Sequence, residues 1–229
     1  MVSLTEKIKN YAKCRGATLV GIATAERLSK APKGRRPKNF LPDVKNVISI
    51  GLKINRASIL QLPKTVREYK TSYDTANLKL NSLAWDIASL LEKEGYEAVP
   101  FPASVPYDIK KLFGDISHKH VAVAAGLGKF GLNNLVLTPK YGPYVRFVSV
   151  MTNAPLEADE PLSNDACIGE KCSKCITACP VGALTNPLLD PIKGWRIKKE
   201  KCYQYIHAGS VGEVCGLCIK ACPASNPTA

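Results

Sequence analysis

The chain has 229 residues, 45% of them hydrophobic, with 16 Gly, 16 Pro and 9 Cys, and a formal charge of +13. That apolar content excludes a disordered chain, and the length allows one compact domain with a smaller appendage. No run of about eighteen apolar residues occurs, so no membrane-spanning helix is expected. The N-terminal Met1-Val2-Ser3-Leu4-Thr5-Glu6-Lys7 lacks the apolar stretch of a secretory signal, and Arg35-Arg36 lies too deep for a twin-arginine signal; a cytoplasmic location is expected.

In chain order, Leu4, Ile8, Tyr11 and Ala12 recur at helical spacing, with Gly16 as a stop. Thr18 to Ala23 reads as a buried strand. Six basic residues then follow without an acidic one: Arg27, Lys30, Lys33, Arg35, Arg36 and Lys38. They suit either a solvated loop or a docking face for an acidic partner, nucleic acid or anionic cofactor. Val47 to Leu52 is a second strand. From Asp74, Leu80, Leu83, Ala84, Ile87, Leu90 and Leu91 trace one face of a long helix, which Gly95 ends in a left-handed conformation. Glu97 to Phe101 and Val145 to Met151 are further strands. Strands separated by helices predict an α/β (α+β) layer over residues 1–155.

After Asn153-Ala154-Pro155 the composition shifts. Leu156 to Asp165 is acidic and polar and reads as a linker, opening a second region over 156–229. Eight of the nine cysteines lie there, between Cys167 and Cys222, while Cys14 stands alone on a helix and reads as a buried structural thiol. An internal repeat sets Cys172-Ser-Lys-Cys175-Ile-Thr-Ala-Cys179-Pro180 against Cys215-Gly-Leu-Cys218-Ile-Lys-Ala-Cys222-Pro223. Each copy is C-x2-C-x3-C-P. Cys167 precedes the first copy and Cys202 the second, so the count is four plus four.

Eight thiolates so placed are the ligand complement of two 4Fe-4S clusters. Two structural zincs also use eight thiolates, but as separated C-x2-C hooks without the x3-Cys-Pro tail. Disulfides would be spread through the fold rather than bunched. In two-cluster ferredoxins, which these runs resemble, the last cysteine of each run ligates the other cluster. Carrying that crossing over gives one cluster Cys167, Cys172, Cys175 and Cys222, and the other Cys179, Cys202, Cys215 and Cys218. With both clusters in place the formal charge falls to roughly +9, each contributing about −2.

The segment Ala125-Gly126-Leu127-Gly128-Lys129-Phe130-Gly131-Leu132-Asn133-Asn134 leads into Thr138-Pro139-Lys140-Tyr141-Gly142-Pro143-Tyr144-Val145-Arg146. Its glycines permit either close backbone approach to a ligand or tight packing. Gly126-x-Gly128-x-x-Gly131 matches a dinucleotide fingerprint by letter, but no clear strand precedes it, since His120 to Ala125 suits a helix equally. His118, His120 and His207 read as surface or packing residues, and Trp85 and Trp195 as packing residues.

The order of an α/β domain, an A-G-L-G-x-x-G segment, a Y-G-P-x-x-R segment and the eight cysteines resembles the epoxyqueuosine reductases and the related reductive dehalogenases. The resemblance runs from Val47 through Pro223. It implies an oxygen-sensitive reductase whose ferredoxin-like C-terminal domain passes low-potential electrons from a donor such as a ferredoxin or flavodoxin to a cobalamin held base-off. The corrinoid contacts it implies are Gly126, Leu127, Gly128, Lys129, Phe130, Gly131, Asn133, Asn134, Tyr141, Gly142 and Arg146, with Arg146 near the nucleotide phosphate. No D-x-H-x-x-G motif supplies an axial histidine; Asp115-Ile116-Ser117-His118 has another spacing.

The resemblance also marks two departures. Where the reductases carry V-D-S/T-A-P, with an aspartate as proton donor, this sequence reads Phe101-Pro102-Ala103-Ser104, so Ala103 stands at the aspartate's place and only Tyr107 or Asp108 is near. The C-terminal helical region of the tRNA-modifying enzymes does not follow Cys222, so tRNA is not expected as a partner. The expected function is a cobalamin-dependent iron–sulfur oxidoreductase acting on a small molecule. The alternative is an electron carrier that reduces a separate corrinoid protein or enzyme.

Overall fold

The computed structural model describes residues 2–104, 107–108, 110, 112–164, 167–184, 189–190, 194–195, 197–207 and 213–225. By contacts the chain divides into two compact units. The first comprises Met1–Leu52, Ala76–Leu127 and Arg146–Ser163; the second comprises Lys53–Thr75, Gly128–Val145 and Asn164–Ala229. A boundary at 155/156 follows the chain, whereas the contacts gather two earlier segments with the cysteines.

The first unit is built on a four-stranded sheet in the order Leu19–Thr24, Asn46–Lys53, Val145–Thr152, Ala98–Phe101. The first pair is antiparallel, with Ile22 opposite Ile48, and so is the last, with Phe101 opposite Ser149. The two central strands are buried almost throughout, as strands covered on both faces must be. Ile48, Ile50, Val148 and Val150 pack with Ile8 and Ala12 of the helix Leu4–Cys14, and with Leu80, Leu83, Ala84, Ile87 and Leu91 of the helix Arg67–Lys93. A second apolar cluster joins Val47, Phe101 and Met151 to Leu41, Val44 and Val121. Mixed helix and strand is therefore the fold class, and no helix of the described residues is long and apolar enough to cross a membrane.

Local chemistry explains the element ends. Ser3 caps the first helix: its Oγ accepts from Glu6 N at 3.2 Å, and the Glu6 carboxylate accepts from Ser3 N at 3.1 Å, a reciprocal box. Three helices end on the same device. Gly16, Gly95 and Gly126 have φ of +99, +85 and +72. In each case the glycine N–H returns to the carbonyl three residues back, and the next N–H returns five back: Ala17 to Ala12, Tyr96 to Leu91, Leu127 to Ala122. This is the Schellman stop. The long helix starts at Arg67, earlier than its apolar stripe predicts, and Tyr69 and Tyr73 in its first turns stack edge-to-face at 6.2 Å.

Several expectations need correction. The acidic stretch after Leu156 is fastened rather than free. Leu156 N donates to Asn46 Oδ1 at 3.0 Å, Asp159 accepts from Ile22 N at 2.8 Å and from Lys9 Nζ at 2.6 Å, and Glu160 pairs with Arg27 at 3.0 Å. Ile22 lies on an edge strand, and Asp159 satisfies both of its outward backbone groups, accepting from Ile22 N and donating its own N–H to Ile22 O. Cys14 is exposed, because it lies away from the Ile8–Ala12 face. Trp85 is 66% exposed on the outer face of the long helix; the side chain of Trp195 lies outside the described residues. Of the basic segment, Arg27 donates to Ala124 O, Arg35 donates to Gly114 O and lies over the Phe113 ring at 4.9 Å, and Arg36 donates to Ala31 O. Lys30, Lys33, Arg36 and Lys38 remain of it as an exposed cationic surface.

Candidate metal centre

The cysteine repeat is a repeat of backbone geometry. In the first copy Ile176 and Thr177 donate to Ser173 O, Ala178 to Lys174 O and Cys179 to Ile176 O. In the second, Ile219 and Lys220 donate to Gly216 O, Ala221 to Leu217 O and Cys222 to Ile219 O. Each bond has its counterpart 43 positions on. The residue after the first cysteine is left-handed in both, Ser173 at φ +47 and Gly216 at φ +71. Gly216 has a second reason to be glycine: a Cβ there would stand 2.7 Å from the Tyr69 ring and 2.8 Å from Leu62. The two short helical turns, Lys174–Thr177 and Leu217–Lys220, pack against each other.

All nine cysteines are unbridged. Cys167, Cys172, Cys175 and Cys222 line one cavity of about 270 Å³, many times the space of a single water. Burial first, and then the nearby Cys222 and Cys167 sulfurs, raise the Cys175 thiol to about 11. The other four gather at Cys218, whose thiol is raised to about 12 by burial first and then by like-charge repulsion from Cys215, Cys202, Cys175 and Cys179. Cys215 is likewise raised, by burial and then by Cys179. Cys179 Sγ accepts a backbone hydrogen bond from Ala183 at 3.2 Å. Among the described residues no three His, Cys, Asp or Glu converge on a single point as one metal ion requires; the first four thiols surround a volume. Sulfurs that resist ionisation when crowded become good ligands once a multivalent iron centre supplies positive charge between them. The donor set therefore fits iron–sulfur clusters.

The glycine-rich segment has an internal use at each glycine. A Cβ on Gly126 would lie 2.2 Å from Glu160 O, one on Gly128 would lie 2.5 Å from Leu137 O, and one on Gly131 would lie 2.8 Å from the Leu137 side chain. These close approaches are to the chain's own atoms, so tight packing accounts for the three glycines. The middle of the segment is a hairpin, Lys129–Phe130 against Val136–Leu137, with Asn134 left-handed in its loop. Tyr141 and Gly142 close a tight turn in which Thr138 N donates to Gly142 O and Tyr141 N to Thr138 Oγ1. The Lys53 and Lys140 ammonium groups lie 5.6 and 5.5 Å from the Tyr141 ring centroid. Gly126, Leu127 and Arg146 belong to the first unit, and the other named positions to the second.

Arg146 takes part in a polar network that sequence reasoning missed. Its Nε donates to Asn77 Oδ1 at 3.2 Å and its Nη2 reaches Ser104 Oγ at 3.5 Å. Nearby, His118 Nε2 donates to Pro102 O at 2.9 Å, which leaves Nδ1 to accept from Ser149 Oγ at 2.9 Å. Desolvation, opposed by the Pro102 carbonyl and aided by the Arg146 charge, lowers His118 to about 4. The ring is thus a neutral brace. Ala103 beside it is buried in the core and donates its N–H to Asn81 Oδ1 at 2.8 Å, leaving no acid at that place. Asp108 is exposed and its carboxylate accepts from Lys110 N at 3.0 Å; the side chain of Tyr107 lies outside the described residues.

The His118 brace predicts a pH dependence with a definite sign. Its folded value lies below its ordinary 6.5, so the unfolded chain takes up the proton first as pH falls. Stability should be complete above pH 6.5 and decline toward pH 4, by up to about 1.4 kcal/mol per pH unit. Melting temperatures of the holo-protein between pH 7 and 5 should fall more steeply for the wild type than for His118→Gln. Parallel slopes would refute the assignment.

These features define a class: a mixed helix–strand unit with a cysteine-rich iron–sulfur domain behind it. The 4Fe-4S dicluster domain family matches residues 166–226. More particularly, the chain is similar to the epoxyqueuosine reductases and to the reductive dehalogenases. It is 28% identical over 216 residues to the epoxyqueuosine reductase of Bacillus subtilis, covering 80% of this chain and 52% of that one. An epoxyqueuosine reductase solved with a tRNA-Tyr epoxyqueuosine-modified stem loop shares the fold over 97% of this chain and 65% of its own, at TM-score 0.66 and 24% identity. A reductive dehalogenase whose structure was used to suggest a mechanism for B12-dependent dehalogenation aligns over 95% of this chain and 31% of its own, at TM-score 0.76 and 22% identity. The chain spans about half the length of the curated relative.

The tRNA-bound structure corrects one expectation. The sequence reading does not expect tRNA as a partner, and the comparison overturns that expectation. A stem loop is nevertheless held by a protein whose fold covers nearly all of this chain, and a formal charge of +13 has the sign that attracts a phosphate backbone.

Proposed function

We propose that this chain is an iron–sulfur reductase in which Cys167, Cys172, Cys175 and Cys222 hold one 4Fe-4S cluster and Cys179, Cys202, Cys215 and Cys218 hold the other. The observation that carries this is the common wall of one cavity made by thiols from both copies of the repeat, Cys222 beside Cys167, Cys172 and Cys175. The unbridged cysteines suit a reducing compartment such as the cytoplasm, and a ferredoxin or flavodoxin is the kind of donor that works there. A cobalamin is the second cofactor we propose, on the strength of the B12-dependent neighbour. When bound it supplies low-potential two-electron chemistry at cobalt. The segment Gly126–Asn134 with Tyr141, Gly142 and Arg146 is where we place its contacts.

Anaerobic reconstitution with hydroxocobalamin, followed by gel filtration and a visible spectrum, tests this second part. One corrinoid per chain is expected to co-elute. Co-elution of none would favour the second reading, an electron carrier for a separate corrinoid protein. The buried Ala103 methyl, at the place where the resemblance puts a proton-donating aspartate, supports that reading. Salt-dependent binding of a tRNA stem loop under the same conditions would identify the substrate class as tRNA rather than a small molecule.

A further inference from the structure

Asn133 is 5% exposed and lines the cavity shared by Cys167, Cys172, Cys175 and Cys222. Its amide orientation is set by its neighbours. Oδ1 accepts from Leu135 N at 3.1 Å, and a flipped amide would point its NH2 at that N–H. Gly131 makes room for this fold-back, since a Cβ there would stand 3.0 Å from Asn133 Oδ1. Asn133 Nδ2 is then buried without a hydrogen-bond partner. Leaving a buried amide donor unsatisfied costs about 1–3 kcal/mol, so native proteins almost always provide an acceptor. The neighbouring walls of Leu132, Leu137, Ile168, Pro223 and Ala224 provide none from their side chains, and the Ser173 hydroxyl is the one side-chain oxygen besides Asn133's own in the lining. What the cavity offers in number is sulfur, four thiols against that one hydroxyl.

We propose that Asn133 Nδ2 donates a hydrogen bond to a sulfur of the iron–sulfur cluster held by Cys167, Cys172, Cys175 and Cys222, and thereby raises that cluster's reduction potential above what its thiolates alone would give. This rests on the cluster assignment made above. A donor aimed at sulfur stabilises the reduced cluster, which carries one more negative charge, more than the oxidised one. The role makes Asn133 a residue that tunes one cluster and leaves the other alone. The backbone N–H of Ala183 makes the corresponding kind of contact to Cys179 Sγ.

The test is a redox titration of anaerobically prepared holo-protein, followed by electron paramagnetic resonance, for the wild type, Asn133→Leu and Asn133→Asp. Aspartate keeps an acceptor for Leu135 N, so the loop is retained while the amide donor is lost. In both variants one cluster should be harder to reduce, with about a tenfold change in the reduced-to-oxidised ratio at fixed potential, or about 59 mV for a one-electron couple. The other cluster should be unchanged, and iron should stay near eight per chain, as two cubanes require. Pulsed resonance on wild-type protein carrying ¹⁵N in its asparagine amides should show coupling to the reduced cluster that disappears in Asn133→Asp. Unchanged potentials in variants that keep their iron, or no ¹⁵N coupling in the wild type, would overturn the role of Asn133. A wild-type chain that binds no iron would instead overturn the cluster assignment itself.

Discussion

Replacing Cys222 with alanine should cut bound iron and sulfide from about eight of each per chain to about four, and the cluster lost should be the one that Cys172→Ala also removes. Cys222 lies in the second copy of the repeat, so a simple assignment by sequence would group it with Cys215 and Cys218. In space it shares a cavity wall with Cys167, Cys172 and Cys175, and its sulfur is among those that hold the Cys175 proton in place. The two Cys-x2-Cys turns lie side by side, and the last cysteine of the second turn points to its neighbour's site. Resonance spectra of the reduced Cys222→Ala and Cys172→Ala proteins should therefore coincide and differ from that of Cys215→Ala. If Cys222→Ala and Cys215→Ala lose the same signal, the crossing is wrong.

Gly126→Ala should destabilise the first unit by at least about 3 kcal/mol, which for a chain of this size lowers Tm by roughly 10 °C. Two costs combine. The residue sits at φ +72, where a Cβ costs about 1–2 kcal/mol. That Cβ would also lie 2.2 Å from the Glu160 carbonyl oxygen, a backbone atom that cannot swing aside. Gly34→Ala is the matched control, because Gly34 has φ +80 but nothing within 4 Å of a built Cβ. It should show the conformational cost alone, about 1–2 kcal/mol. Denaturant unfolding of both variants measures the difference. Equal losses would mean that the Glu160 segment yields and that the space beside Gly126 is not defined by packing.

The comparison of these glycines bears on how far a cofactor-binding role can be read from letters. Gly16 and Gly95 were legible as helix stops because each follows a clear apolar period. Gly126 does the same work for the helix His118–Ala124. It was masked by the two glycines after it, which invited a ligand interpretation. The signal was present: Leu127, the apolar residue next in line, is the usual companion of a Schellman glycine. Gly128 and Gly131 serve the hairpin Lys129–Leu137 and the placement of the Asn133 amide. Cobalamin contact by this segment is then a matter for its side chains and exposed backbone rather than for the space its glycines leave.

Amino-acid order alone determined the features held by short-range bonds. The Cys-x2-Cys-x3-Cys-Pro spacing became two turns with matching hydrogen bonds, because those bonds reach only three or four residues. The same holds for the capping of the first helix by Ser3 and Glu6, and for the buried strands Leu19–Thr24, Asn46–Lys53 and Val145–Thr152, whose apolar runs need no knowledge of their partners. Tertiary structure decided what depends on contacts between distant residues. It brought Cys222 to the cavity wall of Cys167, a crossing that only the resemblance to two-cluster ferredoxins, and no local spacing, had implied; it extended the long helix back to Arg67 through the packing of Tyr69, and tied the acidic stretch at Asp159 and Glu160 to Lys9 and Arg27. It also set Arg146 beside Asn77 and His118 beside Ser149. None of these pairs lies within reach of a local periodicity, because each is selected by burial and hydrogen-bond satisfaction once the sheet and helices have packed.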